Sequence, residues 1–219
     1  MRRCVQSLIA GLGLLAGVGG PERPLLAQEP PTPRPGATCS EEERAALLPS
    51  LRRQSPDSEL RLCAPGRFPA LGYVVLVASR GGLRQGILGA GGQGARGPLS
   101  ELPRAPLATS LVELAAVDLD GDGVDEIIEV WRRSAHGKMG SDNWLVARRV
   151  TDTGLGPRLP GPHLSIYFPD LGHCRARWSV ATPAIVVHVE EASRLTPSDC
   201  LALGTHRFVL RGERLVEQN

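Results

Sequence analysis

The sequence predicts an α+β fold that is mostly β, an antiparallel sheet or meander with an N-terminal helix and two disulfides. Three observations carry that expectation. The 219 residues include 26 Gly and 19 Pro, so turns are frequent and a long-helix bundle or coiled coil is excluded. Short runs rich in Val, Ile and Leu recur along the chain, each bounded by turn formers. Beyond Cys4, the cysteines form two sequence-local pairs, Cys39 with Cys63 and Cys174 with Cys200. An even count in an exported chain reads as a disulfide framework, and closeness in sequence selects these pairings among the three possible.

The N-terminus supplies the evidence for export. Met1-Arg2-Arg3 precedes an uncharged run from Cys4 to Pro21, and Leu25-Leu26-Ala27 then meets Gln28 as a cleavage site. That order matches a secretory signal over residues 1–27. A cleaved signal fits better than an anchor, because the run is short for a membrane span and five of its residues are Gly. Cys4 precedes the apolar run, so it is no lipoprotein acceptor. No later segment is apolar enough to span a membrane, and the expected location is secreted or periplasmic. Of 25 basic and 23 acidic side chains, Arg2, Arg3, Arg23 and Glu22 lie in this leader, so the mature chain is neutral. No basic face for nucleic acid follows from that balance.

Residues 28–38, QEPPTPRPGAT, carry four prolines and no apolar period, which predicts an extended tether before one domain over 39–219. Ser40-Glu41-Glu42-Glu43 is a capping box that opens a helix, with Ala45, Ala46, Leu47, Leu48 and Leu51 as its apolar stripe. Pro49 is expected to kink or end that helix early. Strands are predicted at Leu60–Cys63 and Leu71–Ala78, with a hairpin at Ser79-Arg80-Gly81-Gly82 leading into Leu83–Leu88. Gly89–Pro106 reads as a long loop. Further strands are expected at Leu111–Val117, Glu126–Arg132, Trp144–Val150, Leu164–Phe168, Arg175–Val180, Ala184–Val189, His206–Leu210 and Glu213–Val216. Ala184–Val189 is the most continuously apolar of these and suits a central position. Thr196–Asp199 can open a single helical turn near Cys200. No fixed-period repeat recurs, which argues against a full propeller or solenoid.

One segment carries recognisable chemistry. Asp118-Leu119-Asp120-Gly121-Asp122-Gly123-Val124-Asp125-Glu126 places five carboxylates in nine residues. Without a cation their charges repel at short range. With one, the alternating Asp118, Asp120 and Asp122 can turn oxygens inward, while Gly121 and Gly123 permit the tight backbone curl. The Val124 carbonyl and Glu126 can complete the shell. Hard oxygen ligands without a nearby His or Cys select calcium over zinc or copper. Glu129 falls at the twelfth position and so satisfies an EF-hand pattern as well. Asp125 stands where that motif wants an apolar residue, however, and strand formers flank the loop, so strand–loop–strand is expected and Glu129 need not bind metal.

The run AAVDLDGDGVDEIIEVW, residues 115–131, resembles the calcium-loop segment of the FG-GAP, or VCBS-like, repeats of integrin-type domains. The resemblance implies a loop between antiparallel strands with Asp118, Asp120, Asp122, the Val124 carbonyl and Glu126 as calcium ligands. One copy is present where such families carry several, so a complete propeller is not expected.

Catalytic patterns are sparse. No Gly-x-Ser-x-Gly elbow, His-Glu-x-x-His helix or phosphate-binding loop occurs. His188 and Glu190, two apart in AIVVHVEE, are the pair a metal-dependent envelope hydrolase would use as base and partner. His163, Asp170 and His173 sit close enough in sequence for a second metal site. Trp131, Trp144, Trp178, Tyr167 and Phe168 are read as core rather than as a carbohydrate-stacking surface. The expected function is a non-catalytic exported module with one structural calcium ion, whose partner is an envelope protein or an extracellular polymer.

Overall fold

A computed structural model of the chain describes residues 38–54, 56–69, 71–79, 85–91, 94–102, 109–134, 140–151, 154–168, 172–193 and 200–218. The signal, nearly all of the tether and the helical turn at Thr196–Asp199 lie outside these residues. The fold is mostly β and antiparallel, with one helix, α1 (Glu41–Gln54), and two disulfides, Cys39–Cys63 and Cys174–Cys200. A four-stranded sheet holds β1 (Ser58–Phe68), β2 (Leu71–Ser79), β3 (Gln85–Gly91) and β4 (Gly94–Leu102) in sequence order. A second sheet takes β5 (Thr109–Val117), β6 (Glu126–Ser134), β7 (Ser141–Thr151), β9 (Leu159–Phe168), β10 (Gly172–Ala181), β11 (Ala184–Ser193), β12 (Gly204–Arg211) and β13 (Arg214–Gln218) as an antiparallel meander. The two-residue β8 (Gly154–Leu155) pairs with β7. Among the described residues, no helix is long and apolar enough to cross a membrane.

Alternation of side chains sorts these strands into layers. The capping box is formed, with Ser40 N donating to Glu43 Oε2 at 2.7 Å and Glu43 N to Ser40 Oγ at 3.2 Å. Leu47 and Leu51 of α1 bury against Cys63, Val75 and Val77 on one face of the small sheet. Its other face, through Ala64, Phe68, Val74, Leu76 and Ile87, meets Leu111, Leu114, Ala116, Ile127, Trp131 and Val146 of β5–β7. The opposite face of β5–β7 supplies Ala115, Val117, Ile128, Val130, Leu145 and Ala147 to the main core. There they pack on Ile185, Val187, Val189, Phe208 and Leu210, so the large sheet folds over on itself. Trp178 Nε1 of β10 donates to Glu113 Oε2 of β5 at 2.7 Å across that fold. β11 lies between β10 and β12, the central place its apolar run suits.

Three expectations are corrected. α1 continues through Pro49 to Gln54, because Leu51, beyond the proline, is 3% exposed and anchors the last turns. Pro49 removes one helical N–H, which burial of that face outweighs. Within Gly89–Pro106, β3 runs on to Gly91 and β4 follows as its partner. Strand pairing there is made by main-chain groups and needs no apolar side-chain period. Tyr167 is 53% exposed rather than core, while Trp131 is buried and Trp144 and Trp178 are half-buried.

Candidate metal centre

The acidic loop joins β5 to β6, a strand–loop–strand arrangement with no flanking helix. Register brings its last residue, Glu126, opposite Val117 on one side and Arg149 of β7 on the other. Gly121 and Gly123 adopt φ of 82° and 88°, the left-handed region that strains any residue with a Cβ. Nothing crowds a Cβ at either position, so the demand for glycine is conformational.

Asp118 organises the turn. Its Oδ1 accepts from Gly121 N at 2.6 Å and its Oδ2 from Gly123 N at 3.0 Å. Asp120 Oδ1 accepts from Asp122 N at 3.2 Å, and Asp122 Oδ1 from Val124 N at 2.8 Å. Glu126, 2% exposed, accepts from Leu119 N at 2.9 Å, so both ends of the loop are tied together. One oxygen from each of Asp118, Asp120 and Glu126 lies within 4.8 Å of the other two. Asp122 is not in that group, and Val124 is half-buried beside it.

Two arginines frame the carboxylates. Arg149 pairs with Asp120 and, through Nε, with Glu126 Oε1 at 3.4 Å. Arg67 of β1 reaches Asp118 Oδ2 at 3.3 Å and Asp125 Oδ1 at 2.9 Å. Arg67 N also donates to Asp125 Oδ2 at 2.7 Å, while Asp125 N donates to the Arg67 carbonyl at 2.8 Å. Asp125 is therefore a clamp between the two sheets. The hydrogen bond to Asp125, with the Asp125 and Asp118 charges, raises the pKa of the Arg67 guanidinium against the opposing effect of its burial. Burial pushes Glu126 up to about 7, with the Asp120 and Asp122 charges adding to it and the Leu119 N–H and Arg149 opposing it. A cation among these oxygens would reverse that penalty. The grouped donors are hard carboxylates without His or Cys, which fits calcium or magnesium and not zinc or copper.

Glu129 belongs to the other face of β6, between the sheets and away from the loop. It is fully buried and accepts from Trp131 Nε1 at 2.7 Å, with Arg148 Nη1 3.6 Å from its second oxygen. Burial raises its carboxyl, against the Trp131 N–H and the Arg148 charge.

The other candidates are not drawn into this centre. His188 is exposed and its Nδ1 meets Thr205 Oγ1 at 2.9 Å, while Glu190 pairs with Arg177 at 2.7 Å and Arg175 at 3.4 Å. His163 Nδ1 lies 2.7 Å from the buried Asp142, whereas His173 Nδ1 lies 3.0 Å from Ser193 Oγ, so these two histidines have separate partners. Asp170 lies outside the described residues.

Sequence reasoning missed Arg149, Arg67 and the role of Asp125. A hairpin that pairs Trp131 with Trp144 also pairs Glu126 with Arg149, so the first was readable from strand register. Arg67 is brought in by sheet packing and leaves no local signal. No protein-family model matches the chain, and comparison with curated proteins and with solved structures likewise finds no match.

Proposed function

We propose that this chain is an exported, non-catalytic β-rich domain whose Asp118–Glu126 loop holds one structural calcium ion. In this reading it serves as a binding module of the cell envelope or exterior. The observation that carries it is the convergence of Asp118, Asp120 and Glu126 oxygens within 4.8 Å, on a loop already shaped by its glycines and aspartates. Asp122 and the Val124 carbonyl complete the shell, as the alternating motif implies. The ion would be structural because the loop stands where β1, the β5–β6 connection and β7 meet, tied to both neighbours by Arg67 and Arg149. An affinity on the order of 0.1–1 mM suits an extracellular module, where calcium is plentiful. Export is supported by the leader and by two disulfides, which persist in oxidising compartments.

Calorimetric titration of chelator-treated protein with calcium chloride tests this. One ion per chain is expected, with binding weakened at least about tenfold in Asp118→Asn, which loses an anionic ligand. Absence of saturable binding, or equal binding by the variant, would remove the proposal.

A further inference from the structure

A second feature lies on the opposite side of the small sheet, in the cleft between α1 and the start of β1. We propose that this cleft binds a small organic anion, a carboxylate on a short apolar body, gripped by Arg44 and Arg52. The cavity measures about 310 Å³ and is walled by Arg44, Leu48, Arg52, Pro56, Glu59 and Leu60, with Ser58 beside them. That volume sits at the small end of ligand sites, which pair apolar walls with a few polar groups.

The helix sets the arrangement. Arg44, Leu48 and Arg52 fall four residues apart and so share one face of α1, with an apolar side chain between two guanidinium groups. The macrodipole accounts for Arg52, in the last turn, but not for Arg44, near the N-terminus, where a cation is disfavoured. Arg44 is held there by donating Nη2 to the carbonyls of Leu60 at 3.1 Å and Arg61 at 3.4 Å, and among the described residues its other guanidinium N–H groups have no partner and can meet a ligand. Arg52 has no acidic partner among the described residues. The carboxylate found among the described lining residues, Glu59, pairs with Arg61 at 2.8 Å. Two fork-shaped donors over an apolar wall match a carboxylate with a hydrocarbon body better than a hydrated inorganic ion. This site is independent of the calcium reading.

Amide and arginine side-chain NMR shifts of the full, oxidised chain, titrated with hexanoate, test it, with hexanol as the uncharged probe. Saturable shifts are expected at Arg44, Leu48, Arg52 and residues 58–60, with hexanol binding at least about tenfold more weakly. Arg52→Gln, an exposed change, should weaken hexanoate about tenfold, and Glu59→Gln should tighten it by removing the carboxylate found among the described lining residues. Arg207→Gln, an exposed cation elsewhere, should leave binding unchanged. Absence of saturable shifts in the cleft, equal binding of hexanol, or equal loss in Arg207→Gln would overturn the proposal. So would indifference to both Arg52→Gln and Glu59→Gln.

Discussion

Glu126 faces two opposed demands: its burial favours a neutral carboxyl, and ion binding needs a charged one. In calcium-free protein the folded value of about 7 exceeds the ordinary 4.5, so its contribution to stability is complete below pH 4.5. That contribution is lost as pH rises through about 7. A calcium ion bound as proposed would restore it by holding the ionised form, so the calcium-induced rise in melting temperature should be larger at pH 8 than at pH 5.5. Equal rises at both pH values would contradict this. Asp125 should behave differently, since its carboxylate serves Arg67. Asp125→Ala should destabilise by about 1–3 kcal/mol in denaturant melts, alike with calcium and with chelator, through the hydrogen bonds it breaks. Gly123→Ala should cost about 1–2 kcal/mol from backbone strain alone. The spacing of Asp118, Asp120 and Asp122 made the loop legible, because a curled chain brings alternate residues to one side. Asp125 was not, because its partner is set by packing between strands far apart in sequence.

Elements were legible where composition and periodicity agree. The capping box, Leu47 and Leu51 within the apolar stripe of α1, the strand formers of β5 and β6 and the continuous apolar run of β11 each state their own conformation, whereas Ala45 and Ala46 of that stripe are exposed. β4 is different: it is a Gly- and Pro-containing strand whose pairing depends on β3 and not on its own residues. Pro49 misleads for a related reason, since its local cost is outweighed by burial of Leu47 and Leu51. Leu51→Ala should therefore lower stability by about 2–5 kcal/mol, clearly more than Leu48→Ala, whose side chain is half-buried. Chemical denaturation of the two variants measures the difference, and equal losses would mean that α1 is not anchored through Leu51. The disulfides act between elements. Cys39–Cys63 ties the helix entry to β1, and Cys174–Cys200 ties β10 to the segment before β12. Replacing Cys174 and Cys200 together by alanine should cost about 3 kcal/mol by the chain-entropy account, for a closure spanning 26 residues.

At the scale of the molecule, β5–β7 are buried on both faces, by the small sheet on one side and by β10–β13 on the other. That double burial explains the apolar density of strands that are nonetheless antiparallel, as in Ile127-Ile128-Glu129-Val130-Trp131. The meander order was readable from short connections between successive strands. The folding of the large sheet over itself was not, because it depends on contacts such as Trp178 with Glu113 that no local pattern announces. The acidic loop stands at the junction of the two sheets, with Arg67 and Arg149 reaching it from either side. A calcium ion held there as proposed should stabilise the whole cooperative unit, by mass action on the folded state. Differential scanning calorimetry in 10-fold excess of calcium over the dissociation constant, against excess chelator, measures that directly. The account predicts a single transition displaced upward with calcium, by about 1.4 kcal/mol of stabilisation, and by no more than about 0.4 kcal/mol in Asp118→Asn. Coincident transitions in calcium and chelator for the unaltered chain would contradict it.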